Sequence, residues 1–318
     1  MPGPADQPVS RPGVLFSLVV TFYNQREFVR AALDSALAQQ RDTLEIIAVD
    51  DGSTDGTQDV LRPYGDSIRL VLLDENQGVS AARNRGAAEA TGKYLLFLDG
   101  DDALPPWAID VYETLATAKR PVVMMGQYLW FEGDLPEPED FPREVRFVEY
   151  GDYFEKDRSV GARAGAMAVK RESFEAVGGW RPGLHPGEDY DLVWRLGTAG
   201  TAIYITEPET TLHRAHPRQV TQQHATTLKA VIALAEAERS GAYPGGRERS
   251  LQRKACVGGC IAQWAWTLRR NSYRDVLRLV AGNTRYLLAA LLVRARARLA
   301  GRQPLQVLPI DSSASDRR

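Results

Sequence analysis

Short apolar runs alternate with helix-like segments over the first two-thirds of the chain. Four runs rich in apolar side chains predict buried strands, at 16–21, 44–49, 68–73 and 93–98. Between them, residues 25–39 and 79–90 carry apolar or small side chains at helical spacing. Strands and helices that alternate through short connections predict an open parallel α/β sheet flanked by helices.

The pattern changes after residue 118. Further strands are predicted at 121–131, 161–170 and 202–206, and a short helix at 188–196. From residue 221 the apolar spacing is helical, with helices predicted at 228–238, 255–270 and 273–299. We therefore divide the chain into four parts, a disordered N-terminus (1–13), an α/β domain (14–220), a helical C-terminal extension (221–302) and a flexible tail (303–318).

Composition and charge indicate a globular protein. The 318 residues are 44% hydrophobic and 25% charged, with a net charge of −2. Two cysteines are too few for a disulfide framework, and the polar, Pro-rich N-terminus lacks the apolar core of a signal peptide, so a cytoplasmic location is expected. The longest strongly apolar run, 286–293, is much shorter than the roughly 20 residues that span a bilayer.

Polar clusters follow three of the predicted strands, and the carboxyl ends of parallel strands share one edge of a sheet. They are Tyr23-Asn24, Asp50-Asp51 and the acids between Asp99 and Asp102. Several carboxylates side by side are unfavourable unless a positive charge lies among them. Mn²⁺ or Mg²⁺ fits Asp99-Gly100-Asp101, since both cations prefer hard oxygen ligands and bridge carboxylates to phosphates.

Five motifs in register carry a resemblance to a known family. They are VVTFYN at 19–24, IAVDDGSTD at 47–55, GVSAARNRG at 78–86, GKYLLFLDGDD at 92–102 and GEDYDL at 187–192. In this order they resemble the family 2 nucleotide-sugar glycosyltransferases, which have the GT-A fold, a Rossmann-like mixed sheet flanked by helices. The resemblance covers residues 15–217 and leaves the helical extension unexplained.

The resemblance implies a metal-dependent, inverting transfer of sugar from a UDP- or dTDP-sugar to an acceptor hydroxyl. Nucleotide and donor sugar would be bound by residues of the first four motifs, namely Thr21, Tyr23, Asn24, Asp51, Arg83, Asp99 and Gly100. Asp101 would hold the Mn²⁺ or Mg²⁺ on the diphosphate, joined by His216 of an Arg-x-His element. Asp189 would be the general base, with Trp180 and Glu188 on the acceptor side. General reaction chemistry requires the same two groups. A hydroxyl nucleophile needs a base, and a diphosphate leaving group needs its charge neutralised.

Several of these residues have a second interpretation. Asp and Gly after a strand make good turns. Glu188 and Asp189 are suited to the first turn of a helix. His216 has the alternatives of an ordinary surface histidine or a zinc ligand, and Trp180 that of a packing residue.

Other function classes fit less well. No G-x-G-x-x-G follows the first strand, as a Rossmann oxidoreductase requires, and no Gly-rich basic loop stands there, as a nucleotidyltransferase requires. The Gln/Arg-x-x-Arg-Trp element of the processive synthases of the family is missing, which favours a single addition in glycan, lipopolysaccharide or polysaccharide biosynthesis. The alternative is a catalytically silent nucleotide-sugar-binding or membrane-docked assembly protein.

The C-terminal extension is strongly basic. Residues 269–302 contain nine arginines and one acid, Asp275, and an apolar run precedes the arginine cluster. Such a segment suits a peripheral contact with the anionic inner face of the cell membrane, and hence a glycan or lipid-linked acceptor. The alternatives are packing on the catalytic domain or a dimer contact. Nucleic acid binding is not indicated, because no recognition module is present.

Overall fold

The computed structural model describes residues 13–137, 140–155, 163–216, 224–269, 272–300 and 303–310. Nine strands form one mixed sheet: β1 (Phe16–Phe22), β2 (Leu44–Asp50), β3 (Arg69–Leu72), β4 (Tyr94–Asp99), β5 (Val123–Phe131), β6 (Glu144–Tyr150), β7 (Met167–Lys170), β8 (Ala202–Arg214) and β9 (Gln306–Pro309). Their order is β3-β2-β1-β4-β7-β5-β8-β6-β9. The first four are mutually parallel, β7 is antiparallel to β4 and β5, and β5 is parallel to β8.

Ten helices accompany this sheet in the described part of the chain: α1 (Val29–Leu37), α2 (Thr57–Leu61), α3 (Val79–Ala88), α4 (Ala108–Lys119), α5 (Arg171–Ala176), α6 (Glu188–Leu196), α7 (His224–Arg239), α8 (Ser250–Leu268), α9 (Tyr273–Gly282) and α10 (Thr284–Ala300). The sheet is the mixed, helix-flanked sheet expected of the GT-A fold.

Strand alternation gives the sheet two buried faces. On β4, Leu96 and Leu98 enter the core shared with α1 and α4, whereas Leu95 and Phe97 enter the core shared with α3 and α6. The second core also takes in the C-terminal helices. Leu234 of α7, Ile261 of α8 and Tyr286 of α10 are buried in it. The helical extension therefore packs on the α/β domain. The inner face of the basic segment takes part in this packing, which was one of the alternatives to a membrane contact.

Several predicted elements have different bounds in the structure. The strand predicted at 202–206 extends to Arg214, because register shifts in its pairing with β5 let it continue past Pro208, which cannot donate a hydrogen bond. The strand predicted at 161–170 is reduced to β7, after a 3₁₀ turn at Ala164–Ala166, and residues 161–162 lie outside the described part.

The helix predicted at 273–299 is broken at Asn283. The side-chain amide of Asn283 donates to the carbonyl oxygen of Leu279 (2.8 Å), which ends α9, and α10 leaves at a bend of 74°. No single helix among the described residues is long and apolar enough to cross a membrane, although the bent pair α9 and α10 together reach that length and composition.

The flexible tail predicted for 303–318 is wrong over its first part. Gln306–Pro309 form β9, which pairs antiparallel with β6, and Ile310 is buried behind it. The open edge of β6 supplies the backbone partners that this β-prone segment needs, a long-range effect that its own composition does not reveal. Residues 311–318 and the N-terminal 1–12 lie outside the described residues.

Candidate active site

The three polar clusters meet at one edge of the sheet, where β1, β2 and β4 end. In the parallel register Thr21 lies opposite both Val49 and Asp99. The N–H of Asp51 donates to the carbonyl of Phe22 (2.8 Å), and the N–H of Gly100 donates to that of Thr21 (2.9 Å). A Cβ at position 100 would collide with the Phe22 ring, so only glycine fits between the two acids of the motif.

The side chains predicted for the nucleotide differ in exposure. Tyr23 is 47% exposed, whereas Thr21 and Asp51 are buried. Both oxygens of Asp51 accept backbone N–H groups, from Gln77 (2.8 Å) and Gly78 (2.9 Å), and so fix the loop before α3. Asn24 has a left-handed backbone and accepts the N–H of Thr54 (2.9 Å). Asp51 and Asn24 therefore shape this part of the site through loop contacts.

Arg83 joins two of the predicted acids. Its guanidinium is almost fully buried and donates to Asp99 (2.5 Å) and to Glu188 (2.9 Å). Burial alone would lower the pKa of Arg83, but the two carboxylates raise it above its usual value, so the side chain stays charged. Because Asp99 ends β4 and Glu188 begins α6, this bridge holds the first turn of α6 against the strand edge.

Trp180 lies in the core and not on the acceptor side. The ring is fully buried, meets Phe97 edge-on at 5.0 Å and carries the Arg83 guanidinium 5.0 Å above its centroid. The side-chain amide of Asn84 holds the Trp180 backbone carbonyl (2.8 Å), which fixes the ring in place. An aromatic in this Gly/Pro-rich segment is thus a packing residue, as the second interpretation has it.

Glu188 is buried and belongs to a small charge network. His185 Nδ1 lies 2.9 Å from one Glu188 oxygen, and the N–H of Gly187 donates to the other (2.9 Å). Burial would raise the pKa of Glu188, but His185 and Arg83 outweigh it and lower the pKa. The same contact raises the pKa of His185 against the effect of its own burial. No role was predicted for His185 from the sequence. The available signal for its contact with Glu188 was the spacing of three residues between them.

Asp189, the predicted base, is next to Glu188 on α6. Burial and the neighbouring charge of Glu188 raise the pKa of Asp189 to about 7, although the backbone N–H of Tyr190 donates to it (2.8 Å). Two adjacent carboxylates thus have pKa values pushed apart, one charged through the neutral range and one titrating within it. That separation suits a general base at neutral pH.

The two predicted metal ligands are in contact. Nε2 of His216 lies 2.8 Å from Oδ2 of Asp101. One carboxylate and one imidazole at the strand edge fit a cation that takes its other ligands from phosphates and water. Among the described residues no three His, Cys, Asp or Glu side chains form a group that could hold a metal ion by itself.

Asp102 and His213 were missed by the sequence prediction. Asp102 is buried, accepts the backbone N–H of Arg214 (3.0 Å) and lies 2.8 Å from Nδ1 of His213. Burial raises the pKa of Asp102 to about 6 although the His213 contact opposes it. The pair ties the end of β4 to the end of β8 and so aligns Asp101 with His216.

Comparisons with known proteins show which family and which solved structures this chain is similar to. The model of Glycosyl transferase family 2 matches residues 17–178. The putative teichuronic acid biosynthesis glycosyltransferase TuaG of Bacillus subtilis is 42% identical over 91 residues, 28% of this chain and 36% of that protein. The succinoglycan biosynthesis protein ExoO of Rhizobium meliloti is 41% identical over 96 residues, 30% of this chain and 27% of that protein. The matched region spans about a third of the length of such curated relatives.

Solved structures share the fold over most of the chain. Residues 1–349 of S. aureus TarS in complex with UDP superpose with a TM-score of 0.57 at 14% identity, covering 94% of this chain and 99% of that one. The mannosyltransferase PcManGT of Pyrobaculum calidifontis, in complex with GDP-Man and Mn²⁺, gives a TM-score of 0.52 at 20% identity, with 91% and 89% covered.

Proposed function

We propose that this chain, which belongs to glycosyl transferase family 2, is an active glycosyltransferase. It catalyses one inverting transfer from a UDP- or dTDP-sugar to the hydroxyl of a glycan or lipid-linked acceptor. The proposed pathway is cell-envelope polysaccharide biosynthesis, in keeping with the names of TuaG and ExoO. UDP in the TarS structure supports a pyrimidine nucleotide, while GDP-Man in PcManGT makes GDP the comparison to test.

The observation that carries the proposal is the Arg83 bridge. Arg83 forms ion pairs with Asp99, the last residue of β4, and with Glu188, the first residue of α6. The proposed base Asp189 follows Glu188 directly, so one buried side chain brings the proposed donor and base positions together. A fixed distance between donor sugar and base is what a single displacement needs, because the two reacting groups must be aligned before reaction.

Asp101 and His216 would hold the metal ion. Bound there, Mn²⁺ or Mg²⁺ would act as a Lewis acid on the diphosphate oxygens and offset the charge that grows on the leaving group. Asp99, next to the pair, faces the proposed ribose and donor sugar with its carboxylate already oriented by Arg83.

Asp189 would take the acceptor proton. The acceptor oxygen forms its bond to the anomeric carbon as the bond from that carbon to the diphosphate oxygen breaks, and the diphosphate leaves with the electron pair. The hydroxyl proton passes to the Asp189 carboxylate, whose pKa of about 7 suits proton uptake at neutral pH. In this proposal Asp189 acts only as a base and no side chain forms a bond to the sugar, so the single displacement inverts the anomeric carbon, whereas retention needs a second displacement.

Calorimetric titration with UDP, dTDP, GDP and ADP, each with Mn²⁺ and again with EDTA, tests the donor site. We expect one pyrimidine diphosphate to bind at least about tenfold more tightly with Mn²⁺, and Asp101→Ala and His216→Ala to abolish this ratio. Asp59→Ala, which removes an exposed acid of α2, is the control. If none of the four nucleotides binds, the proposed function fails. If binding is unchanged by EDTA, the metal role fails.

We also propose a peripheral membrane contact through α10. Leu288, Leu291 and Leu299 are 60%, 61% and 89% exposed and recur at helical spacing, and Arg294 and Arg298 are exposed on the same helix. Exposed leucines beside arginines suit an interface helix on anionic lipids, which would locate the enzyme at the inner face of the membrane, near lipid-linked acceptors.

A further inference from the structure

A cluster of aromatic side chains and one arginine lies at the end of β5 and includes His213 of the candidate active site. It consists of Tyr128, Trp130, Arg163 and His213, and we call it the β5 platform. The Arg163 guanidinium lies 4.1 Å above the Tyr128 ring and 5.3 Å from the Trp130 centroid. Trp130 meets His213 edge-on at 4.3 Å and is still 50% exposed. The ring is thus held on several sides and open on another.

Strand register creates this arrangement. β5 runs parallel to β8 with Tyr128 opposite Thr211 and Trp130 opposite His213. Tyr128 and Trp130 therefore point to one face of the sheet, and Leu129, which is 44% exposed, points to the other. The register shift between Gln127 and Tyr128 sets which residues share the face.

The β5 platform lies beside residues of the candidate active site. His213 lies 2.8 Å from Asp102, the residue after the proposed metal ligand Asp101. Burial raises the pKa of the proposed base Asp189, and the positive charge of Arg163 acts in the opposite direction. The β5 platform is therefore joined through His213 to the strand end that carries the proposed metal ligand Asp101, and an acceptor sugar placed on it would lie beside the proposed donor site.

We propose that Trp130 is the acceptor-binding residue of this enzyme, its exposed face stacking on a pyranose ring of the acceptor glycan. The inference rests on the proposed function. The apolar C–H face of a pyranose matches an aromatic surface, and the N–H groups of Arg163 beside it can donate to the sugar hydroxyls. A single exposed tryptophan needs no explanation by itself. This one is distinguished by a fixed ring orientation, which lowers the entropy lost on binding.

The first test is ¹⁹F NMR on the full chain labelled with 5-fluorotryptophan and saturated with UDP and Mn²⁺. Trp130→Phe identifies the Trp130 resonance among the six tryptophans. The probes are the methyl pyranosides of glucose, galactose, mannose and N-acetylglucosamine, which carry no aromatic group of their own. We expect at least one to shift the Trp130 resonance saturably, leaving those of the buried Trp180 and Trp194 unmoved.

The second test uses that glycoside as acceptor. Trp130→Ala should raise its KM about tenfold or more, whereas Trp130→Phe, which keeps an aromatic face, should restore most of the affinity. Leu129→Ala, which removes the exposed neighbour on the opposite face, should leave the KM unchanged.

The outcomes separate the two proposals. If UDP binds with Mn²⁺ but no glycoside moves the Trp130 resonance, the acceptor inference is overturned and the proposed function stands. A Trp130 resonance that depends on protein concentration and not on glycoside overturns it in favour of self-association. If none of the four nucleoside diphosphates binds, the proposed function fails and takes the inference with it.

Discussion

At the scale of single residues, Arg83 is the side chain on which most of the site depends. It is a charged group with 2% exposure, and it is held by one carboxylate that is 35% exposed and another that is 5% exposed. Removing a buried ion-pair partner leaves the remaining charge without compensation, which costs more than the pair contributed. Glu188 is the more buried acid, so most of the cost falls on it.

We expect Arg83→Ala to lower the free energy of unfolding by about 3–5 kcal/mol, measured by urea denaturation. The matched control is Arg85→Ala, two residues further along α3. Arg85 is exposed and forms an ion pair with Glu89. That variant should change stability by less than about 1 kcal/mol. Equal losses in the two variants would contradict the role given to Arg83.

A pH profile tests Asp189. A base must be deprotonated, and burial raises the pKa of Asp189 to about 7, so transfer should increase about tenfold per pH unit below 7 and level off above it. Asp189→Asn should reduce kcat by about 10²–10⁴ and leave calorimetric UDP binding intact. A wild-type profile that stays flat from pH 5 to pH 8 would argue against Asp189 as the base.

The resemblance to the family was sufficient to predict Asp101 and His216 as a pair, and the structure places their side chains 2.8 Å apart. The resemblance could not reveal that Trp180 is a core residue, since an aromatic in a Gly/Pro-rich loop has the same composition whether it faces solvent or Phe97. Trp130 could not be predicted as a site residue for another reason. Its place opposite His213 depends on a register shift between strands far apart in sequence.

At the scale of elements, α8 and α10 are packed unusually closely. A Cβ at Gly258 of α8 would collide with the backbone carbonyl of Tyr286 on α10. Tyr286 in turn donates its hydroxyl to Glu238 of α7 (2.9 Å), so this contact orders three helices. Small residues at a crossing let helix backbones approach, and a backbone obstacle cannot move aside as a flexible side chain can.

Gly258→Ala should therefore lower the free energy of unfolding by about 1–3 kcal/mol, despite the better helix propensity of alanine. Gly282→Ala, at the end of α9 with open space around its Cβ, is the control. It should leave stability unchanged or raise it by up to about 1 kcal/mol. Thermal and urea unfolding measure both, and a stabilised Gly258→Ala protein would show that the helices separate easily.

The early strands were predictable because β1, β2 and β4 are continuous apolar runs that end in turn residues. The later elements depend on partners. β9 becomes a strand only because β6 has a free edge, and the break between α9 and α10 depends on one amide reaching back to Leu279. Local composition therefore predicts neither the pairing of β9 nor the break between α9 and α10.

At the scale of the whole molecule, the helical extension has two faces. Tyr286 is buried in the core shared with the domain and Ala289 is buried against Ala255 of α8, while Leu288, Leu291 and Leu299 remain exposed among arginines. Burial of the inner face accounts for the stability of α10, and the outer face remains for the proposed lipid contact.

We expect the protein to sediment with vesicles containing anionic phosphatidylglycerol and not with pure phosphatidylcholine. Each basic side chain near an anionic surface contributes about 1 kcal/mol, so high salt should release it. The double variant Leu288→Asp and Leu291→Asp should lose binding. Leu135→Asp, which changes an exposed leucine between β5 and β6, should retain it. Equal binding by both variants would exclude α10 as the contact.

The return of the chain to β6 has a consequence for synthesis on the ribosome. β6 gains its outer neighbour only when β9 emerges, after all four C-terminal helices have been made. At roughly 5–20 residues per second, the stretch from the end of β8 to β9 takes about 5–20 seconds to translate. For that interval the edge of the nascent sheet is the 7-residue β6 and not the 4-residue β9, so a longer unpaired strand is open to pairing with other chains. Edge protection during translation, by a chaperone or by the emerging helices themselves, is thus a requirement that the order of the strands places on the cell that makes this protein.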